Sequence, residues 1–456
     1  MNFSLAEHMT YKKLLRVSLP CILMMIAISV YAVVDGFFVA NFAGKAPFAG
    51  LNLIYPFIAV LGSIGFMMGT GGAAYVAKRL GEGEKEKAAR AFSNCVFFSI
   101  FLGLVASAAS YFFLPDIARW LGSDEEMLPY CVSYGRISVI GITFFNLQNL
   151  FQSFFTAAEK PRLGFLVTIA AGITNIIMDA ILIVGCKMGV RGAAIGTVLG
   201  QMVGAIIPLI YFLYAKSSPL QLRLYKWEAK PILKMASNGA SELLTNISAS
   251  VVSMLLNAAL MKYYGQDGVS AYGIICYVWL IFAAIFIGFN IAVAPRISYA
   301  LGAKNKVEMQ SLFKKAMVIL IGFSLLQFAF SEAMAIPLSH AFAGYDPGLY
   351  DLTLMAFRIY SVVFLFLGFN MFGSSFFTAL NNGAVSLGLS LLRLGVMEVV
   401  SVLTLPLLFG GLGIWWAVPL AEGLGMIMNL ATMFAFGHRY GYIKQKNSQE
   451  SEDLQA

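Results

Sequence analysis

The chain has 456 residues, of which 59% are hydrophobic and 12% charged, with a mean hydropathy of +0.78 and a net charge of +8. A soluble domain usually carries about 25% charged residues, so a soluble fold is excluded and a polytopic membrane protein is implied. Crossing a ~30 Å hydrocarbon core takes about 20 apolar residues, and a backbone there must satisfy its own hydrogen bonds, so long uniformly apolar segments mean helices and not barrel strands.

Residues 1–13 read as a polar, helical lead-in. Lys12, Lys13 and Arg16 then enter a first span too long, and too poor in cleavage-like residues at its end, to be a removable signal peptide. Six spans are predicted at 14–40, 48–77, 91–114, 130–157, 162–185 and 190–215, followed by a polar connector at 216–234 punctuated by Pro219 and Pro231. Six more are predicted at 236–262, 269–295, 314–337, 353–380, 384–409 and 413–436. The expected fold is an all-α membrane protein of twelve transmembrane helices in two pseudo-symmetric six-helix bundles. Its parts are an N-lobe (1–215), a cytoplasmic connector (216–235), a C-lobe (236–437) and a cytoplasmic tail (438–456).

Lys and Arg placement orients the chain. With the N-terminus cytoplasmic, one side holds Lys12, Lys13, Arg16, residues 78–90, Lys160, Arg162, the connector, residues 296–315 and the tail, whereas the other holds only Lys45, Arg119, Arg136, Lys187, Arg191, Lys262 and Arg358. That asymmetry places both termini in the cytoplasm. The halves also repeat. At an offset of 221, Leu80-Gly81 falls on Leu301-Gly302 and Gly44 on Gly265, and at 222 Phe155-Thr156-Ala157 falls on Phe377-Thr378-Ala379 and Arg136 on Arg358. Six spans return the chain to its starting side, so the repeats are parallel, with a central cavity expected between them and transport by alternating access as the leading class of function.

Two acids interrupt the apolar pattern. Residues 163–185 contain one charge, Asp179, with Asn175 a helical turn earlier, and residues 19–40 contain one, Asp35. Charge in hydrocarbon costs at least a few kcal/mol and is functional by default, so the two acids are expected to meet inside the protein. A carboxyl in a dry site beside a second acid takes up a proton more readily than one in water. Such a pair can exchange a proton for a cationic compound. The plainer alternative makes each acid a structural hydrogen-bonding residue.

Asp35-Gly36 in the first span, Tyr55-Pro56 in the second, the loop Arg79-Leu80-Gly81-Glu82-Gly83, and Pro295 with the run from Ser298 to Ala303 resemble multidrug and toxic compound extrusion (MATE) transporters over residues 10–440. Within that family, Asp35, Asn175, Asp179 and Thr197 are similar to the acidic N-lobe site of the DinF-like prokaryotic branch. The resemblance implies cation-coupled antiport of bulky, mostly cationic organic compounds out of the cytoplasm. Asn175 and Thr197 would supply neutral oxygen ligands, so the coupling ion is H⁺ or Na⁺, and no organic cofactor is implied. The seventh span has Glu242 near its start, then Thr245, Asn246 and Ser248, without the mid-span acid of the branch that couples in its C-lobe. Coupling is therefore placed in the N-lobe.

Substrate contacts are assigned, on span position and family similarity, to Tyr31, Phe38, Asn52, Tyr55, Met67, Phe151, Phe155, Tyr272, Asn290, Phe376 and Glu398. Pro20 removes a ladder bond in the first span and is the candidate hinge. For Arg393 and Glu398 two readings stand: one of them answers a cationic substrate in the cavity, or Arg393 snorkels to the cytoplasmic face and Glu398 pairs with it or with another helix. Glu422 is read as a packing position aligned with Gln201, and Arg136 and Arg358 as anchors. Cys21, Cys95, Cys131, Cys186 and Cys276 have no metal-ligand or framework spacing, and His8, His340 and His438 are scattered. No Gly-x-x-x-x-Gly-Lys-Ser/Thr loop exists, so no ATP hydrolysis and no enzyme is expected. The basic balance suits loops facing anionic lipid and not nucleic acid. The expected protein is a monomeric inner-membrane antiporter of organic cations. Two alternatives remain open: a flippase for a lipid-linked precursor, and a membrane receptor or scaffold without transport.

Overall fold

A backbone in hydrocarbon has no water to bond to, and every long apolar segment of this chain is accordingly helical. The computed structural model describes residues 4–215 and 218–443. Its helices are α1 (Tyr11–Phe42), α2 (Lys45–Gly81), α3 (Lys85–Trp120), α4 (Leu128–Ile140), α5 (Ile142–Ala157), α6 (Pro161–Asp179) and α7 (Val190–Tyr214) in the first half. The second half has α8 (Ala229–Gly302), α9 (Lys306–Ala343), α10 (Pro347–Ser361), α11 (Val363–Ala379), α12 (Gly383–Ser390), α13 (Val399–Phe409) and α14 (Gly411–Tyr440). No strand occurs among the described residues.

Helix α8 is 74 residues long and is a hairpin, because Gly265 inside it takes φ +62° and ψ −145°. The Tyr272 side chain consequently bonds that of Ser253, a residue that a straight helix rising ~1.5 Å per residue would hold about 28 Å away. With α8 counted as two spans, and α4–α5 and α10–α11 as one bent span each, the described residues form twelve spans.

The spans predicted at 130–157 and 353–380 are each present as a bent pair of helices. The α4–α5 pair bends by 55° at Gly141, where a Cβ would lie 2.5 Å from the Val198 side chain of α7, so the close approach of α7 occupies the space a larger residue would need. The α10–α11 pair bends by 43° beside Ser361, whose hydroxyl donates to the Arg358 carbonyl at 2.7 Å and competes with the helical ladder. Two further irregularities are π-helical turns, Ala180–Gly185 directly after Asp179 and Leu391–Glu398 before α13.

The expected helical lead-in is also corrected. Residues 4–10 are turns and extended chain, because the Thr10 hydroxyl accepts from the Lys13 N–H and starts α1 there. Leu5 and Met9 are buried, and their N–H groups donate to Glu159 of one half and Glu308 of the other. At the midpoint the connector runs extended along α3, with Arg223 N–H donating to Ser93 Oγ at 3.2 Å and Trp227 against Phe98. Its first residues, 216 and 217, and the tail residues 444–456 lie outside the described residues.

The duplication is visible in the backbone. Positive φ recurs at 221-residue spacing in Gly44 and Gly265, Gly83 and Lys304, and Gly189 and Gly410, and at 222 in Glu159 and Asn381. The halves join mainly through α2 and α8. A Cβ on Gly81 would lie 2.2 Å from Tyr299 O, and one on its repeat partner Gly302 would lie 2.1 Å from Lys78 O. These contacts fall on the side that carries both described chain ends, where Gln310 also bonds the Gly441 carbonyl at 2.9 Å. Toward the opposite side, Gly36 and Gly273 meet nothing within 4 Å. The lobes are thus in close backbone contact on the side of the termini.

Candidate functional site

Small residues spaced four apart bring the first-half acids together. Gly192, Gly196 and Gly200 form one face of α7, onto which α6 and its π turn pack closely. A Cβ at Gly196 would stand 2.3 Å from Asp179 Oδ1, and one at Gly200 would stand 3.0 Å from the Asn175 Cβ. On the other flank, the Tyr31 ring lies against Gly172, which seats α1 on α6. The Asp35 and Asp179 carboxyls then come within hydrogen-bonding reach of one another. Two ionised carboxylates can only accept, so this contact becomes a hydrogen bond when one of them carries a proton.

The polar atoms here lack other partners. Asp35 Oδ1, both Asp179 carboxylate oxygens, Asn175 Oδ1 and Nδ2, and Thr197 Oγ1 are all sealed from solvent without a hydrogen-bond partner. Asp179 and Asn175 are buried, whereas Asp35 is half-buried. Buried polar groups in native proteins are nearly always bonded, so this concentration of orphans marks a place built for a proton, an ion or water. Three tyrosines, Tyr31, Tyr55 and Tyr134, surround the acids, and Tyr31 bonds Gln148. Tyr134, Gln148 and Gly196 were not singled out from the sequence. Only the glycine spacing on α7 offered a signal for them.

A cavity of about 210 Å³ lies between the lobes, displaced toward the second half. Its charged lining is Glu242 and Arg393, and Thr70, Thr245, Asn246, Asn290, Ser374 and Ser390 supply polar atoms beside the Trp279 and Phe66 rings. Behind the cavity wall, Arg393 Nε lies 3.5 Å from Glu422 Oε1, with both side chains buried. Asn370 donates to the Glu422 backbone carbonyl at 2.8 Å and also to its carboxylate, Asn429 donates to Asn370 at 2.9 Å, and Glu398 lies close to Glu422. Arg393 therefore has Glu422 on its core side and Glu242 toward the cavity.

Of the residues assigned to substrate, Asn290 lines this cavity. Glu398 does not; it is buried in the second-half interior close to Glu422. Phe151 and Phe155 pack on Phe212, and Phe376 on Phe313 and Tyr442, all inside lobe cores where their apolar area is best removed from water. Tyr272 bonds Ser253 and Cys276 within the second half and packs edge-on against Tyr360. Met67 lies at the α2–α8 crossing, its carbonyl against Gly239. Phe38 packs between Phe37 and Phe42, and Asn52 bonds the Phe48 carbonyl of its own helix. Tyr31 and Tyr55 belong with the acids, Tyr55 remaining 47% exposed. Helix α1 continues unbroken through Pro20.

The family described as MatE matches residues 20–181 and 243–403. The multidrug export protein MepA of Staphylococcus saprophyticus is 24% identical over 417 residues, covering 90% of this chain and 91% of the relative. The same-named protein of Staphylococcus aureus is 25% identical over 419 residues, with 91% of each chain covered. Among solved structures, an outward-facing conformation of a multidrug resistance MATE family transporter superposes with a TM-score of 0.88 at 21% identity, covering 97% of this chain and 98% of that one. A MATE in the bent conformation matches at 0.83 and 22% identity, covering 94% and 97%.

Proposed function

The chain belongs to the MatE family, and from that membership we propose that it is a cation-coupled multidrug antiporter exporting bulky, mostly cationic organic compounds. The observation that carries the proposal is the set of orphaned atoms on Asp35, Asn175, Asp179 and Thr197. The two acids are the site of H⁺ exchange. If the ion is Na⁺, the same oxygens are the ligands, since a hard cation takes carboxylate, amide and hydroxyl oxygens. The printed names of the Staphylococcus relatives support multidrug export as the activity. The protein works as a monomer in the cytoplasmic membrane, with both termini in the cytoplasm.

Helix α1 links ion and substrate. It carries Asp35 near one end, while nearer the other its Cys21–Ile22 backbone lies against Gly288 and Ser29 bonds the Leu280 carbonyl of α8, the helix whose Trp279, Ile287 and Asn290 line the cavity. Ion entry while the lobes are apart on the side opposite the termini neutralises the acids and lets α1 shift, with Pro20 as the flexible point. That movement releases the compound, whose cationic group rests near Glu242. Ion loss on the cytoplasmic side restores the acid pair and substrate affinity, so ion and compound exclude each other.

Dye efflux from everted vesicles, driven separately by a proton and a Na⁺ gradient, tests the proposal. Efflux is expected with at least one gradient and is lost in Asp35→Asn and Asp179→Asn proteins that still insert. Wild-type efflux from either variant, or efflux indifferent to both gradients, would overturn it.

A further inference from the structure

A second cavity, of about 450 Å³, opens at the helix ends on the side of the termini, between α2 and α3 of one lobe and the connector and α8 of the other. Its lining is strongly basic: Arg79, Lys87, Arg90, Lys230 and Lys234, against one acid, Glu228. Much of this charge is already paired within the lining and its rim. Arg79 bonds Glu82 and Glu84 at 2.8 Å, Lys87 bonds Glu84 at 2.7 Å, and Arg90 bonds Glu228 at 2.8 Å. Lys230 and Lys234 have no carboxylate partner among the described residues, and the Lys234 ammonium has only the Tyr75 ring, 5.9 Å away.

One further feature makes the pocket attract an anion. The first turn of α8 enters it with no side chain capping its N–H groups, and unpaired N–H groups at a helix start favour negative charge. Beside the basic residues in the chain stand apolar side chains turned outward: Leu224 is 89% exposed, Leu233 67% and Trp227 50%. Basic pockets between helices at headgroup depth are the sites that anionic lipids fill, and tryptophan is enriched at that depth.

We propose that this pocket binds the phosphate headgroup of an anionic phospholipid, held by Lys230, Lys234 and the start of α8, with its acyl chains over Leu224, Trp227 and Leu233. Because the lining comes from both lobes, the bound lipid ties them together on the side of the termini and favours the closed arrangement there. A free phosphate would share the headgroup contacts but gain nothing from the apolar shelf.

Native mass spectrometry and thermal unfolding of the purified full chain test this, with phosphatidylglycerol, phosphatidylcholine and inorganic phosphate as separate probes. Phosphatidylglycerol is expected to raise the unfolding midpoint and to be retained, whereas the other two leave the protein unchanged. Lys230→Gln/Lys234→Gln should weaken phosphatidylglycerol binding at least ~5-fold, Lys230→Arg/Lys234→Arg should preserve it, and Lys12→Gln/Lys314→Gln, which removes two exposed charges elsewhere, should leave it intact. Equal stabilisation by phosphatidylcholine or by inorganic phosphate, or equal binding by the glutamine and wild-type proteins, would overturn the proposal. So would loss of binding in the arginine or the Lys12/Lys314 variant.

Discussion

The Cα of Gly196 backs directly onto the carboxylate of Asp179, since a methyl group placed there would stand 2.3 Å from Oδ1. The wall of the acid's compartment is therefore bare helix backbone, and the carboxylate has nowhere to retreat. Gly196→Ala should displace Asp179 from Asp35 and cut gradient-driven dye efflux at least ~10-fold, a loss of about 1.4 kcal/mol or more in coupling. Gly273→Ala, whose added methyl meets nothing within 4 Å, should leave efflux unchanged and slightly favour the helix. Transport by the two variants in proteoliposomes provides the comparison.

Asn175 and Thr197 separate the two candidate ions. Their oxygens matter as ligands only for Na⁺, because a proton needs the carboxyls alone. Asn175→Ala and Thr197→Ala should raise the Na⁺ concentration for half-maximal efflux roughly tenfold if Na⁺ couples, a loss of about 1.4 kcal/mol of ion binding. They should leave proton-driven efflux near wild type if H⁺ couples. The readout is efflux rate against ion concentration in each variant.

Arg393 sits between Glu422 and Glu242 in a buried setting, and removing one partner of a buried ion pair typically costs 3–5 kcal/mol because the other charge is stranded. Arg393→Met should therefore lower the unfolding midpoint sharply. Arg393→Met/Glu422→Gln should recover most of the loss, because Asn370, which donates to the Glu422 carboxylate, can donate to the amide oxygen in its place. Thermal unfolding in detergent of the single and double variants measures the coupling.

Gly189 and Gly410 are repeat partners with nearly the same backbone, φ +56° and ψ −136° against φ +60° and ψ −146°. Only glycine enters that region without strain, so each Gly→Ala should cost about 1–3 kcal/mol. The two positions lie in different lobes, and the double variant should lose the sum of the single effects within about 0.5 kcal/mol. Unequal costs would show that the duplicated turns no longer bear equal strain.

Membership of the helical membrane class, the span count and the duplication were legible in the sequence, because hydrocarbon imposes one secondary structure on any long apolar segment and the turn glycines recur at a constant offset. Asp35 and Asp179 were legible as anomalies for the same reason. The bends at Gly141 and Ser361 were not, since one depends on Val198 of another helix and the other on a local hydroxyl bond. Nor was the nonhelical run at residues 4–10, which Thr10 ends by capping α1.

By itself the sequence determined how many times the chain crosses the membrane, which residues are too costly to bury idly, and that two halves share one plan. Tertiary structure alone decided which side chains face the cavity. A phenylalanine in a span meets lipid, core or cavity with almost the same transfer energy, so no periodicity distinguishes them. Thus Phe151, Phe155 and Phe376 became core, while Glu242 and Arg393, on different helices, came to face the same space. The meeting of Asp35 with Asp179 likewise required α1 and α7 to close on α6, a contact made by glycines whose lack of a side chain acts only when another helix is present.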